Sequence, residues 1–501
     1  MDVLSSIIGG FSVVLQPTNL LFCFVGVFVG TLIGVLPGIG PLGAIALLLP
    51  STFYISPVAA LIMLAGIYYG AMYGGSTTSI LVNIPGEAAS VITCLDGYQM
   101  AKQGRAGPAL GIAAFGSFIG GTISVVLLAF LAPPLARFAL RFGPYEYFSL
   151  MALGLTVLIY LANGPTIKAL MMAALGLVFG IVGKDMISGR GRFTFGITEL
   201  DDGIGIIPVV MGLFGISEVL INVEEKMAAQ TTIKTKIRGL LPNLQDWKRS
   251  IGPITRGTFL GFFLGILPGG GALISSFASY SIEKKLSKHP EEFGKGAIEG
   301  VAGPETANNS ATGGAFIPLL TLGIPNNGVM ALMLGALIIH GLQPGPLLMK
   351  EQPALFWGTI TSMYVGNVML LVLNLPLIGL WVQVLRIPYP ILFPLILLFC
   401  LIGVYSVNNS IIEIWFMIGF GVLGYFMRKF EYEAPPLVLA LILGPMFENA
   451  LRQSLILSDG NPMVFLTRPI SAAFLIMAFL LLISTIVPWF KEKKHLFGEE
   501  P

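Results

Sequence analysis

Two polar clusters inside long apolar runs carry the side chains best suited to binding a ligand. The first cluster combines hydroxyl groups, an amide and a helix-breaking pair, namely Ser76, Thr77, Thr78, Ser79, Asn83, Pro85 and Gly86. Hydroxyls and amides donate and accept hydrogen bonds, and the backbone N–H groups freed at a helix break favour an anion. Exposed carbonyl groups at the same break would suit a sodium ion equally well. The alternative is that these small polar residues only pack helices together.

The second cluster is richer in amides. Its candidate substrate-binding residues are Asn308, Asn309, Ser310, Thr312, Pro325, Asn326 and Asn327. Asparagine presents both a carbonyl and an amide, which suits a ligand with several carboxylates or a cation bound together with an anion. A solvated loop is the competing interpretation, above all for residues 305–309.

Three carboxylates near these clusters are candidates for ion coupling: Glu87, Asp96 and Glu305. Charge near hydrocarbon is costly and is commonly functional. A carboxyl group there could take up a proton together with the substrate. Glu87 directly follows the Pro-Gly pair and is the first choice, whereas a plain loop position is the alternative for Asp96. The sequence predicts no metal site, no catalytic site and no enzyme activity.

Composition places these clusters in a membrane protein. Of 501 residues, 55% are hydrophobic and 11% charged, and the mean hydropathy is +0.85. Apolar runs of the length that a helix needs to cross a bilayer recur along the chain. The net charge is only +2, and the basic residues lie in connecting loops without forming a basic stripe, so no nucleic-acid partner is expected. We predict an all-α polytopic membrane protein with its N-terminal segment retained.

A short phrase occurs twice, as GVLPGIG at 34–40 and as GILPGGG at 265–271. Matching helix breaks in two halves of a membrane protein indicate a transporter's binding site. The phrase predicts that Pro37, Gly38, Gly269 and Gly270 shape the substrate site. Each copy is followed by a glycine pair, a short apolar run and Ile-Pro, which indicates two copies of one unit.

Loop charges predict how the two units are oriented. Cytoplasmic loops are enriched in Lys and Arg. In the first unit, the basic loop with Lys102 and Arg105 follows the Ile-Pro pair. In the second unit, the basic loop from Lys284 to Lys295 lies instead between the repeated phrase and the Ile-Pro pair. Both loops are inside only if the units are inverted. The loop with Lys184, Arg190 and Arg192 argues against this, although acidic neighbours offset its charge.

The predicted organisation has four parts: a first membrane repeat with following helices at 18–222, a charged cytoplasmic linker at 223–256, a second repeat with following helices at 257–490, and a cytoplasmic tail at 491–501. Broken helices or re-entrant hairpins would interrupt each repeat.

The motifs resemble a known family. The stretches GTLIGVLPGIGPLGA, YGGSTTSILVNIPGE and GPETANNSATGGAFIPLLTLGIPNNG are similar to those of TctA, the large membrane subunit of tripartite tricarboxylate transporters. The resemblance spans nearly the whole chain. It implies ion-driven uptake of an organic di- or tricarboxylate across the bacterial inner membrane, with an elevator-like movement.

The resemblance also implies partners: a small TctB-like membrane subunit and a periplasmic TctC-like solute-binding protein. The coupling ion would be Na⁺ or H⁺, and no other cofactor is expected. A homo-oligomer is left open. A gated anion channel, or a carboxylate carrier that works without a binding protein, is the alternative function.

Overall fold

The computed structural model describes residues 3–36, 40–161, 165–185, 188–224, 239–267, 271–384 and 389–486. These residues form helices and one short hairpin. Four predicted site residues, Pro37, Gly38, Gly269 and Gly270, lie outside the described residues. The same holds for the predicted tail at 491–501 and for residues 225–238 of the predicted linker.

The elements up to residue 224 alternate long helices with short ones. They are α1 (Val3–Val14), α2 (Pro17–Val35), α3 (Gly40–Thr52), α4 (Pro57–Val82), α5 (Val91–Lys102), α6 (Ala106–Ala139), α7 (Pro144–Leu161), α8 (Thr166–Gly180), the hairpin of β1 (Gly183–Lys184) and β2 (Gly191–Arg192), α9 (Ile206–Val210) and α10 (Ser217–Glu224). A 3₁₀ turn (Ala88–Ser90) leads directly into α5, and a π-helical turn (Met211–Ile216) joins α9 to α10.

The elements after residue 239 begin with a similar alternation. They are α11 (Leu244–Ile266), α12 (Gly271–Leu286), α13 (Glu299–Leu322), α14 (Gly328–Ile339), α15 (Leu348–Glu351), α16 (Pro353–Asn374), α17 (Ile378–Val384), α18 (Tyr389–Asn408), α19 (Ile411–Lys429), α20 (Ala434–Leu457), α21 (Val464–Thr467) and α22 (Pro469–Ile486). Helix α11 begins inside the predicted linker, so the last part of that segment is helical.

Six helices in the described ranges are long and apolar enough to cross a membrane, namely α2, α4, α6, α16, α19 and α20. Shorter apolar helices lie before, between and after them in the chain. The prediction of an all-α polytopic membrane protein is therefore confirmed.

Two helices reach further than their apolar content predicts. The apolar runs suggest spans ending at Met72 and starting at Ala315, but α4 continues to Val82 and α13 begins at Glu299. The residues added to each helix include the polar ones, and all of the added residues are buried. The solvated-loop interpretation of 305–309 is wrong, because these residues are buried within helix α13.

Close glycine contacts join α2 to α4 and α11 to α13. In α2 the glycines stand four residues apart at Gly26, Gly30 and Gly34, and in α11 at Gly257, Gly261 and Gly265. A Cβ on Gly30 would lie 2.5 Å from the carbonyl oxygen of Ile67, and one on Gly257 would lie 2.6 Å from that of Gly303. Small residues at this spacing let two helix backbones approach closely in membranes.

The two helix pairs are joined by long helices from the other part of the chain. Helix α6 packs along α13, and α16 packs along α4. The centre of the core is formed where α4 and α13 meet, since the Ser76 hydroxyl donates a hydrogen bond to the Glu305 carboxylate.

The loops gather at two ends of this core. At one end Gln103 donates a 2.6 Å hydrogen bond to the Lys295 backbone, and Arg105 pairs with Asp246. At the other end α3 packs on α14, where the His340 side chain faces the Thr52 backbone. The two basic loops therefore share one end.

Replacing a packed glycine by alanine is predicted to destabilise the fold. Gly30→Ala and Gly257→Ala should each cost about 1–3 kcal/mol, because the facing atom is backbone and cannot rotate away. We expect the thermal unfolding midpoint of the detergent-solubilised protein to fall by several degrees. Gly419→Ala on α19 is the matched control, since a Cβ there meets nothing within 4 Å. Equal midpoints for all three variants would contradict the packing role.

Candidate functional site

A cavity of about 600 Å³ lies where four helices begin. Its wall includes Gly40–Gly43 at the start of α3, Glu87–Ala89 before α5, Gly271–Leu273 at the start of α12 and Asn327–Val329 at the start of α14. Other parts of the wall come from α4, the π-helical turn, and the segment around the end of α19 and the start of α20. Most of the lining side chains are apolar.

Local sequence explains why helices start here. Asn83 ends α4 with a φ of 61°, and Gly323 ends α13 with a φ of 72°. Asparagine and glycine are the residues that adopt this left-handed conformation most readily. An Ile-Pro pair follows each of them and keeps the chain extended before the next helix starts.

Side chains cap two of the helix starts. Asn327 Oδ1 accepts a 2.9 Å hydrogen bond from the Met330 N–H at the start of α14. Glu87 Oε2 accepts a 2.6 Å bond from the Ala89 N–H, and the Glu87 N–H donates to Ser90 Oγ at 3.4 Å. These caps leave other N–H groups at the helix starts beside the cavity.

Each helix start brings partial positive charge to the cavity. The N-terminus of a helix carries roughly half a unit positive charge, and freed N–H groups there bind anions. Arg428, at the end of α19, also lines the cavity and pairs with Glu218 on α10. The Asn327 amide donates to the Tyr68 hydroxyl at 3.4 Å. The arrangement therefore suits an anionic ligand.

The segments that approach the cavity are tied to the glycine-packed helices. The Thr78 hydroxyl donates to the Val35 carbonyl oxygen at 2.7 Å, and the Asn326 amide donates to that of Gly265. These acceptors lie in the last turns of α2 and α11, where each helix ends. Gly86 lies against the Gly34 carbonyl oxygen, where no side chain would fit.

Only some of the predicted binding residues line the cavity. Pro85, Gly86 and Asn327 are part of its wall, and so is the ion-coupling candidate Glu87. Asn83 is exposed at the end of α4, and Pro325 is buried beside Asn326. The remaining predicted side chains are buried behind the wall: Ser76, Thr77, Thr78, Ser79, Asn308, Asn309, Ser310, Thr312 and Asn326. Direct substrate contact by that buried set stays a prediction.

The buried set forms a network between helices. Glu305 on α13 accepts hydrogen bonds from the Ser76 and Thr93 hydroxyls. The Asn309 amide donates to Ser117 Oγ on α6 at 2.7 Å. The Asn308 amide donates to Glu87 Oε1 at 3.1 Å, so the network reaches the cavity wall.

Two further members of the second cluster bind backbone oxygens. The Ser310 hydroxyl donates to the Thr258 carbonyl oxygen on α11 at 2.6 Å, and the Thr312 hydroxyl to that of Asn309 at 2.6 Å. Their hydroxyls therefore satisfy backbone acceptors within the core.

Asp96 lies on α5, fully buried and away from the cavity. Its Oδ1 accepts hydrogen bonds from the backbone N–H groups of Gly294, Gly296 and Ala297 at 2.7–2.9 Å. Its Oδ2 accepts one from the Tyr280 hydroxyl at 2.9 Å. These bonds fasten the loop before α13 to α5, which is a structural role. A role in ion coupling stays a prediction.

Several cavity residues were missed by sequence reasoning. Pro41 lies directly after the repeated phrase, so the phrase itself was the available signal. Tyr68 lies in an apolar run that indicates only a span. Arg428 lies in the last turn of α19, far along the chain, and no local pattern links it to the repeated phrases. The four-residue glycine spacing of α2 and α11 was a readable signal for close helix packing.

Taken together, the apolar helices and the cavity at interrupted helices define a multi-pass membrane protein. A family model described as the tripartite tricarboxylate transporter TctA family matches residues 20–439. The chain belongs to this family, whose members are the large subunits of such transporters. The resemblance inferred from the motifs is confirmed.

Two relatives come from Agrobacterium vitis. The chain is 52% identical over 501 residues to an uncharacterized 52.8 kDa protein in the TAR-I ttuC′ 3′ region, with 100% of both chains covered. It is 53% identical over 241 residues to an uncharacterized protein in the TAR-II ttuC′ 3′ region. The aligned residues cover 48% of this chain and 100% of that protein. No solved structure matches the chain.

Removing the Asp96 carboxylate is predicted to release the loop before α13. In Asp96→Ala the amides of Gly294, Gly296 and Ala297 lose their acceptor, and hydrogen bonds to a charged group contribute about 1.5–3 kcal/mol. We expect these amides to exchange with deuterium about tenfold faster or more. Glu291→Ala is the control in the same loop, because Glu291 is 66% exposed. Unchanged exchange in Asp96→Ala would refute the fastening role.

Proposed function

We propose that this protein is the large membrane subunit of a secondary active carrier that takes up an organic di- or tricarboxylate, driven by an ion gradient. The observation that carries the proposal is the cavity at four helix starts in a chain of the TctA family. Its volume of about 600 Å³ falls within the usual range of small-molecule sites, roughly 300–1,000 Å³.

The charge of the cavity favours this substrate class. Four helix N-termini each contribute roughly half a positive charge, which matches a ligand carrying two or three carboxylates. Arg428, already paired with Glu218, adds a guanidinium at the wall. Recognition by N–H groups and dipoles lets the anion leave more readily than a dedicated bidentate arginine would.

Two inverted repeats are part of the proposal. The same order of helices occurs in both parts of the chain, as α2–α6 and as α11–α14 with α16. In each part a glycine-packed helix comes first, followed by a short helix, a long helix, another short helix and a further long helix. The long helices α4 and α13 start at opposite ends of the core, and the segments that follow them, Pro85–Ala89 and Asn327–Val329, line the cavity. This arrangement supports inversion and, by analogy, an elevator-like movement.

The loop that argued against inversion is electrostatically balanced. Lys184 pairs with Asp201 at 2.7 Å, and Arg192 pairs with Asp185 and Glu448. Two of the three basic side chains of this loop are thus engaged in ion pairs within the protein. In this proposal the loop lies on the periplasmic side despite its basic residues.

The partners in this proposal are a small TctB-like membrane subunit and a periplasmic TctC-like solute-binding protein. The location is the bacterial inner membrane. A decisive experiment measures uptake of radiolabelled citrate, malate and succinate into vesicles that hold the complete complex. We expect accumulation against a gradient that requires the binding protein. Downhill movement without accumulation would instead favour a channel, and accumulation without the binding protein would favour a two-component or single carrier.

A charge change at Asn327 tests the cavity as the anion site. Asn327→Asp retains a capping side chain for α14 but adds a negative charge at the wall. We expect the apparent affinity for the transported carboxylate to fall roughly tenfold or more, because like charges within a few ångström repel strongly. Asn327→Ser keeps the cap without the charge and should transport nearly normally. Equal affinities for Asp and Ser variants would exclude substrate binding beside Asn327.

Cysteine labelling tests the inversion. Lys102→Cys and Lys288→Cys should react with a membrane-impermeant maleimide only after cells are permeabilised, because both loops are predicted inside. Gln343→Cys, in the loop after α14, should react in intact cells. The unmodified chain is the control for its own cysteines, of which Cys23 and Cys400 are buried. Labelling of Lys102→Cys and Lys288→Cys from opposite sides would rule out the inverted arrangement.

A further inference from the structure

Glu87 differs from the buried carboxylates Asp96 and Glu305 because it lies in the wall of the cavity. It lines the anion cavity, and its side chain also caps the start of the helical segment from Ala88 through α5. The carboxylate therefore occupies one of the positive helix ends that would otherwise meet an anionic ligand.

No basic side chain in the described ranges forms an ion pair with Glu87. The titratable groups that face it are Tyr68 on α4 and Glu305 on α13. Elsewhere on the cavity wall lie Arg428, Tyr432 and Glu433. Arg428 is engaged with Glu218. An ionised Glu87 beside a bound anion would thus lack a cation to offset the repulsion.

The Asn308 amide suits either protonation state of Glu87. It is fully buried and donates to Glu87 Oε1 at 3.1 Å, which satisfies an ionised carboxylate. Its carbonyl oxygen accepts no hydrogen bond from any described residue. Rotation of the amide by half a turn would present this oxygen to a protonated Glu87, whose O–H would donate to it.

We propose that Glu87 is the proton-binding residue that couples transport, taking up one proton as the carboxylate substrate enters the cavity and releasing it when the substrate leaves. The proton comes from water on the entry side, converts the Glu87 carboxylate to a carboxylic acid, and returns to water on the exit side. The substrate anion then takes the place of the Glu87 charge at the helix start. This inference rests on the proposed function.

Protonation of Glu87 and binding of the substrate anion favour each other. Protonation removes the repulsion between Glu87 and the substrate, so substrate affinity rises as pH falls. For one coupled proton the change is about tenfold per pH unit over the range in which Glu87 titrates. Reciprocally, substrate binding at fixed pH draws about one proton from solution.

The test uses the complete complex in vesicles, with radiolabelled citrate, malate and succinate as probes. Glu87→Gln resembles the protonated residue. We expect it to retain substrate counterflow, which needs no net proton movement, and to lose accumulation driven by a pH gradient. Its substrate affinity should no longer vary with pH. Glu146→Gln is the control, since Glu146 is a buried carboxylate on α7, outside the cavity, that accepts a bond from the Gly143 N–H.

Proton uptake by the unsubstituted complex gives a second measurement. Addition of the transported carboxylate in weak buffer should consume about one proton per bound molecule, and this uptake should vanish in Glu87→Gln. No proton uptake by the unsubstituted complex would overturn the proposal even if the variant fails to fold.

Other outcomes would contradict either the assignment of Glu87 or the proposed transport function. Accumulation by Glu87→Gln at the unsubstituted level would overturn the assignment of Glu87. Uncoupling by Glu305→Gln alone would move the coupling site to α13, and accumulation driven only by a sodium gradient would exclude proton coupling. If the unsubstituted complex moves none of the three carboxylates, the proposed function fails, and the coupling proposal fails with it.

Discussion

Polar backbone groups inside an apolar environment must find partners within the protein, and this constraint governs where the helices of this chain can break. The ends of α2 and α11 are held by partners from elsewhere in the fold, and the helices that restart after α4 and α13 are held by local caps. Thr78 satisfies the Val35 carbonyl group and Asn326 that of Gly265, while Glu87 and Asn327 cap the helices that follow. Since the caps satisfy only some N–H groups, the cavity is the place where the others remain available.

Close glycine packing makes these contacts geometrically possible. The glycines of α2 and α11 bring each helix backbone against its long partner, so the ends of α2 and α11 lie beside the chain that restarts after α4 and α13. The same residues that destabilise an isolated helix therefore position the cavity. A larger side chain would separate the backbones and move the capped helix starts apart.

The buried carboxylates divide by their surroundings. Asp96 is surrounded by backbone N–H donors and fastens a loop. Glu305 accepts bonds from two hydroxyls at the junction of α4, α5 and α13. Glu87 alone of the three lines the cavity, with an amide as its partner. Carboxylates that are similarly buried can therefore have different roles. Fixed backbone N–H donors keep a carboxylate ionised and suit a structural role. An amide that can present either its N–H or its oxygen suits a carboxyl group that gains and loses a proton.

Composition and pattern determined the membrane class, the duplicated phrase, the helix breaks and the family, because apolar length and Pro-Gly pairs act through the local backbone. They placed Glu87 and Asn327 beside a break, and the structure has both at the cavity. Only tertiary structure decided that Ser76 faces Glu305 rather than the cavity, since that depends on how α4 is rotated against α13. It also brought Arg428 to the wall and turned Asp96 towards a loop two hundred residues away. Such choices follow from packing between distant helices, which no local pattern encodes.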